Sequence, residues 1–361
     1  MIWIIDVESN NNNRGLYSDR SRLVSICKST FQNNNLDGAY IYGGNIYISH
    51  SEFLNNSYDG IDASRNSYGV IACCNITGNE DNGIRICSGS DFKIRFCRIE
   101  GNLNYGIQSS IGGKIDARYC WWGDPTGPQP TGEGDEVSSG VDFNPWQKEP
   151  QQPKTLISDL RCSIRAESWR AIYPSTEENK PLNRGSASVS DWLATAYLTA
   201  RLWNLEKEGL DTNPDLVDQT NGKPIGDGAI ACFGGPAVGI PVYHYELNKV
   251  APIIYCNVPG ARGPGQPWAQ WYLANGTAIT ETAIGTSDTL DLFLIETFKD
   301  EEGRPIFIAY GIGWRGTYAA GKYFNDIIYP NLANYTYRWI IVKWEDTNND
   351  GFVNPPGKGD N

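Results

Sequence analysis

Apolar and polar residues are arranged in two textures along the chain. Up to about residue 128 the apolar positions are isolated or short, and they return on a fixed count. Phe31, Phe53, Ile76, Ile99 and Trp122 form one such series, with steps of 22 or 23 residues. Two residues ahead of each stand Ser29, Ser51, Cys74, Cys97 and Cys120, and five ahead stand Ile26, Ile48, Ile71, Ile94 and Ala117. Asn11, Asn34, Asn56, Asn79 and Asn102 keep the same rhythm, and Gly15, Gly38, Gly60, Gly83 and Gly106 each follow four residues behind. Beyond the glycines come Ala39, Ile61, Ile84 and Ile107, then Ile41, Ala63, Ile86 and Ser109 two positions further. Alternation within each short segment predicts strands, and the change of step between the fifth and second residue before each anchor predicts a bend.

A period near 23 with several short strands per repeat predicts a parallel β-helix, in which successive coils stack roughly 4.8 Å apart and like residues form interior ladders. About five coils are expected over residues 1–128, with the asparagines at a corner and hydrogen-bonded along the stack. The first coil begins almost at Met1, so the sequence looks cut from a longer solenoid or stripped of a leader, with a strand edge at residues 3–7 open to another subunit. The stacked thiols at 74, 97 and 120 read as small apolar fillers, since no further ligands stand at metal-binding spacing. The repeat resembles the right-handed parallel β-helix family, and "ARYCWWGDPTGP" (117–128) resembles the aromatic, Gly/Pro-rich close of such repeats. That resemblance speaks to fold and says little about activity.

Residues 129–155 lie in a Pro-, Gly- and acid-rich stretch without periodicity and read as a linker, partly packed through Trp146. From residue 156 the apolar residues gather into longer runs. "TLISDLRCSI" reads as a strand, and "SVSDWLATAYLTARLWNLEKEG" as a helix with Ser190 as N-cap and Trp192, Leu193, Tyr197, Leu198, Leu202 and Leu205 at helical spacing. A strand at about 228–233, a helix after Pro236 and a strand in "APIIYCNV" follow. "DTLDLFLIETF" and "RPIFIAYGI" are strand-like, "WRGTYAAGKYFNDII" is helix-like, and "YRWIIVKWED" ends the series. The alternation predicts an α/β sandwich with a mostly parallel sheet over 156–361.

Within this region "ACFGGPAVGIPVYHYE" (231–246) sets a Gly-Gly-Pro corner between a strand and a helix. Such corners can hold phosphate, but this one lacks both the Gly-Lys-Ser/Thr ending and the three spaced glycines, and Pro236 removes a donor. It therefore reads as architecture. Together with "IFIAYGIGWRGTYAAGKYFNDIIYPNL" and "RWIIVKWEDTNNDGFVNPPGKGD", the corner resembles the C-terminal domain of archaeal S-layer and S-layer-like surface proteins, especially those of hyperthermophiles. The resemblance implies a cell-envelope location and a structural or adhesive role.

Charge narrows the partners. With 30 Lys+Arg against 42 Asp+Glu, a net charge of −12 and a pI near 4.7, the chain lacks the basic face that nucleic acid requires, and cations suit it better. No stretch is long and apolar enough to span a membrane, and "MIWIIDVESN" is too short in its apolar run for a signal-peptide core. Nine cysteines leave at least one thiol outside intrachain pairing.

Candidate chemistry is sparse. "DTNNDGFVN" places Asp346, Asn348, Asp350 and the Phe352 carbonyl at positions one, three, five and seven of a Ca²⁺ loop, with Gly357 where a bidentate Glu would stand, so Ca²⁺ is the candidate cofactor. Sequons at Asn55, Asn75, Asn275 and Asn334 are candidate glycosylation sites, with Asn75 expected to point outward. Asp62, Lys93, Arg95, Asp116 and Arg118 are outward charges that could contact a glycan, and Asp59 with Asp62 is the nearest thing to a paired-carboxylate site. Trp268, Trp271 and Tyr272 could stack on sugars. His50 and His244 have no visible nucleophile partner, and no residue is assigned a catalytic role. The expectation is an extracellular cell-surface protein acting in envelope structure, self-assembly or adhesion, with other envelope proteins or glycans as partners. The alternative is a carbohydrate-binding or polysaccharide-degrading β-helix enzyme.

Overall fold

A computed structural model describes the chain except for residues 88–90, 111–114, 151–154, 179, 203, 261–269, 349, 351–352 and 354–361. The described chain divides into two compact units, residues 1–154 and 155–361.

The first unit is the right-handed β-solenoid that the period predicts. One of its sheets stacks Glu8–Asn10, Thr30–Gln32, Glu52–Leu54, Asn75–Thr77 and Arg98–Glu100 in parallel, and an Arg98–Trp121 bridge adds a sixth rung to these five strands. Phe31 registers with Phe53, Phe53 with Ile76 and Ile76 with Ile99, so the apolar series in the sequence is a physical column of the core. The expected bend falls at Lys28, His50, Cys73, Phe96 and Tyr119, all left-handed with φ between 47° and 64°. This one-residue corner turns the strand before it into the strand after it, which is why the apolar step changes there.

The stretch expected to be a linker, 129–155, is largely solenoid. Glu136–Val137 pairs with Tyr105–Ser109, Val141–Asp142 pairs with Ile115–Asp116, and Phe143 and Trp146 pack on the core. Pro and Gly hide this because the last coil is closed by turns, with only two-residue strands left to carry alternation.

The asparagine column holds the coils in register. Asn34, Asn56 and Asn79 each donate from Nδ2 to the Oδ1 of the next member, at 2.8, 2.9 and 2.8 Å, and each backbone N–H donates to the same oxygen. The second Nδ2 proton of Asn56, Asn79 and Asn102 goes back to the carbonyl of Phe31, Phe53 and Ile76 respectively, each at 3.1 Å. The column ends on Asp135, whose carboxylate accepts from Asn102 Nδ2 at 2.8 Å, from Asn102 N at 3.1 Å and from Gly101 N at 2.7 Å. Asn11 does not belong to it: the first coil is shifted by one residue, and the N–H of Asn12 is what reaches Asn34 Oδ1. The glycines four residues on are required by approach, since a Cβ on Gly38 or Gly60 would lie 2.6 Å from the carbonyl oxygen of the next coil's glycine.

The second unit is built on a six-stranded sheet in the order Leu205–Leu210, Trp169–Tyr173, Ala229–Phe233, Pro305–Gly311, Leu290–Lys299, Trp339–Glu345. The first three pairings are parallel and the last two antiparallel, so the sheet is mixed, in place of the mostly parallel one expected. Both faces are covered. Ala229, Ala231 and Phe233 face a core with Leu160, Leu198 and Ala320, while Ile230 and Cys232 face another with Ile240, Tyr245 and Trp271. This strand is therefore apolar at every position, as a strand buried on both sides must be.

Three local expectations fail here. "TLISDLRCSI" is helical, a 3₁₀ turn Ile157–Asp159 leading into Leu160–Ala166, because Asp159 takes the N–H of Leu156 at 2.6 Å and starts a helix. The next helix, Val189–Thr199, starts at Ser188 rather than Ser190, through a capping box with Asp191. It stops at Thr199, and Leu205–Leu210, whose leucine fitted the helical spacing, is an edge strand.

Changing Asn79 to Ala strands the N–H and one Nδ2 proton of Asn56 and the carbonyl of Phe53 inside the solenoid, so a loss of about 2–4 kcal/mol is expected in urea denaturation. Asn79→Asp should cost at least as much, because a carboxylate cannot donate to Asn102 or Phe53.

Candidate functional site

Among the described residues of the solenoid, a cluster of ionisable groups lies where the column before the glycines meets the outward column after them. Asp37 and Asp59 precede Gly38 and Gly60, and Asp62 stands two residues past Gly60. One oxygen from each carboxylate falls within 4.8 Å of the other two, and all three residues are buried. Arg14 Nε donates to Asp37 at 2.9 Å, and Arg85 Nη1 approaches Asp62 at 3.3 Å and Asp59 at 3.9 Å. Asn82 gives both its N–H and its Nδ2 to Asp59, and Ser64 donates to Asp62 at 2.6 Å.

Burial raises both Asp59 and Asp62, and pushes Asp59 up to about 7 despite the hydrogen bonds from Asn82 that oppose it. The sequence pattern points to Asp59, in the turn beside Gly60, and to Asp62, but not to Asp37. The missing signal was the column before the glycines, Arg14, Asp37, Asp59 and Asn82, which carries charge or amide in four successive coils.

The geometry does not make a hydrolytic pair. Asp59 is 1% and Asp62 3% exposed, and the groups that meet them are guanidinium, amide and hydroxyl from the same chain. A general acid must reach a substrate oxygen, and these do not present an open face. Of the expected glycan-contacting residues the structure brings four together, Lys93 in register with Asp116, which Arg95 and Arg118 both hold, and leaves Asp62 apart. Asp62 registers with Tyr40 and Arg85, whereas Arg95 registers with Ala72. Arg95 is buried and grips Asp116, donating to its carboxylate and to its carbonyl at 2.6 Å, and Arg118 holds the same carboxylate at 2.7 and 2.9 Å. Of the five, Lys93 alone is exposed.

The sulfur column is also internal. Cys74, Cys97 and Cys120 are buried free thiols. Cys74 Sγ donates to the carbonyl two residues back at 3.2 Å, as the hydroxyls of Ser29 and Ser51 do at 2.8 Å. Burial raises the thiols of Cys97 and Cys120 well above their usual range, which removes nucleophilic character.

In the second unit the Gly-Gly-Pro corner is a turn closed by Val238 N to Gly235 O at 3.0 Å and Gly239 N to Gly235 O at 2.8 Å, and the helix begins at Ile240. The place a phosphate would occupy is taken by the chain itself. Asp211 accepts the N–H of Ile240 at 3.1 Å and is paired with buried Lys180 at 3.0 Å.

At the tail, Asp346 is buried, its N–H bound to Thr289, while Asn348 and Asp350 bond to one another in an exposed turn, and Phe352 lies outside the described residues. Asn55, Asn275 and Asn334 are exposed, and Asn75 is half-buried with its Oδ1 bonded to Thr77 Oγ1 at 2.5 Å. His50 occupies a left-handed corner, and His244 Nδ1 donates to the Asn221 carbonyl at 2.8 Å. Trp271 and Tyr272 are core residues, and Trp268 lies outside the described residues.

Comparison with known proteins agrees with the solenoid and goes no further. Residues 4–135 match the family described as right handed beta helix region. No curated protein and no solved structure matches the chain. No described helix is long and apolar enough to cross a membrane.

The raised carboxyl of Asp59 gives a signed expectation. Between pH 4 and 7 the folded chain keeps a proton that the unfolded chain has released, so this contribution is whole below about pH 4 and declines as pH rises to about 7, with a ceiling of about 4 kcal/mol. Asp59→Asn keeps an oxygen for Asn82 and removes the proton. Its urea midpoints should fall less over that pH range than those of the parent chain.

Proposed function

We propose that the chain is an extracellular surface protein with a structural or adhesive role, in which the solenoid is a stiff scaffold and Ca²⁺ at the tail loop assists assembly. The observation that supports this most is that the solenoid's stacked asparagines and buried charges are met from within the chain. The asparagines bond to one another, Asp37, Asp59 and Asp62 are met by Arg14, Asn82 and Arg85, and Asp116 is met by Arg95 and Arg118. Charges arranged so hold coils together, and they are withdrawn from the cleft a depolymerase would need. The four sequons, three of them exposed, suit the same setting.

Electron microscopy of the purified protein in millimolar Ca²⁺, and again after chelation, should give filaments or sheets that disperse when the metal is removed. Asp346→Asn combined with Asp350→Asn should abolish the Ca²⁺ dependence. Single particles under both conditions would overturn assembly. Cleavage of an acidic polysaccharide that disappears on changing Asp62 or Arg95 would replace this reading with the enzymatic one.

A further inference from the structure

Adjacent parallel strands Ala229–Phe233 and Pro305–Gly311 send the chain in opposite directions. The first leads to helix Ile240–Leu247, whose Ile240, Val242 and Tyr245 pack with Ile230 and Cys232. The second leads to helix Trp314–Tyr323, whose Ala319 and Ala320 pack with Ala231 and Phe307 on the other face. Where neighbouring connections part in this way, a crevice opens outside the carboxyl ends of the strands, and ligands bind there in α/β sheets. A cavity of about 160 Å³ occupies this place, lined among others by Ser186, Ser188, Asp191, Gly235, Trp314 and Thr317. We infer that this crevice is a binding site for a neutral sugar unit.

The charge around it selects the ligand class. Helix N-termini commonly attract anions, but the three that begin near the crevice are already served by carboxylates of the chain. Asp211 takes Ile240 N, Asp291 takes Gly313 N at 3.1 Å and Gly316 N at 2.7 Å, and Asp191 takes Ser188 N at 2.9 Å. Among the described residues no lysine or arginine lines the cavity. A phosphate would meet the Asp191 carboxyl, and the cations nearby are engaged elsewhere, Lys180 by Asp211, Arg315 by Asp288 and Arg184 by the Leu182 and Pro236 carbonyls. A polyol would find serine and threonine hydroxyls and the Asp191 carboxyl on one side, and on the other the indole of Trp314, which is 51% exposed and can cover the apolar face of a pyranose. The volume is below the roughly 300 Å³ of pockets for drug-sized ligands, and matches a single ring better than an extended cofactor.

The walls are held in place beforehand. Tyr310 and Tyr255 both line the cavity, and both are fixed by the fully buried Glu246. Its Oε1 accepts from the Tyr310 hydroxyl at 2.7 Å and its Oε2 from the Tyr255 N–H at 2.7 Å. Trp271 Nε1 donates to the same Tyr310 hydroxyl at 2.8 Å. Gly235 belongs to this wall, since a Cβ there would come within 2.8 Å of the Tyr310 ring. The Gly-Gly-Pro corner thus lets the turn lie flat against an aromatic floor, and a site supported this way does not need to be ordered by its ligand.

The site is independent of assembly, and the two are read separately. Saturation-transfer NMR on the full chain, with glucose, galactose, mannose and N-acetylglucosamine offered singly, should show at least one neutral sugar bound with a millimolar dissociation constant. ADP and inorganic phosphate should fail to displace it. Trp314→Ala, at an exposed position, and Ser186→Leu, which fills the mouth, should each weaken binding at least tenfold with unchanged thermal melting. Tyr337→Ala, exposed and outside the cavity lining, should leave binding as it is. If no sugar binds, if binding survives both cavity variants, or if ADP or phosphate competes, the inference is overturned.

Discussion

The hydrogen bond from one asparagine side chain to the next sets the solenoid's register. Each coil is too short to bury a core alone, and the three-residue strands that carry the apolar anchors have little cooperativity of their own. A primary amide is suited to the task because it donates twice and accepts at once. Asn79 thereby joins Asn102, Phe53 and the backbone of Asn56 in a single buried junction. With the junctions fixed, the apolar column of Phe31, Phe53, Ile76 and Ile99 must stack, and the left-handed corners at Lys28, His50, Cys73 and Phe96 must fall above one another.

The second unit solves a related problem by different means. Its helices begin close to the carboxyl ends of buried strands, where exposed N–H groups would otherwise need water or an anion. Asp191, Asp211 and Asp291 supply that need from within the chain. This placement offsets part of the cost of burying carboxylates in a strongly acidic protein: each is met by backbone donors, and Asp211 also by Lys180, while burial still raises Asp191 and Asp291. It also explains why a glycine-rich corner that looks fit for phosphate is not free to take one.

Periodic elements were legible in the sequence and compensated ones were not. The period, the bend before each anchor and the amide column from Asn34 to Asn102 could be read because like side chains repeat at one spacing, whereas five coils were expected and a sixth rung is present. The last coil escaped notice since its two-residue strands carry no alternation, and Leu205 was drawn into a helix because an edge strand with leucine at its start mimics helical spacing over one turn. Asp159 turned an apparent strand into a helix through a single hydrogen bond. Of the candidate site residues, Asp62 and Arg95 alternate with the inward Ile61 and Ile94, as the period implies. Their burial was not visible, because it depends on the guanidinium or carboxylate that the neighbouring coil lays across them.

The amide column also has a sense. Every side-chain amide in it gives one Nδ2 proton to the side-chain oxygen of the following coil, and this series ends at Asp135, whose carboxylate can only accept. A repeat of 22 or 23 residues inserted between any two asparagines restores the same junction on both sides. One inserted after Asp135 would face a carboxylate with nothing to donate. Lengthening by duplication is thus chemically one-sided: coils can be gained or lost ahead of the acid, and the acid marks the point past which the repeat cannot propagate.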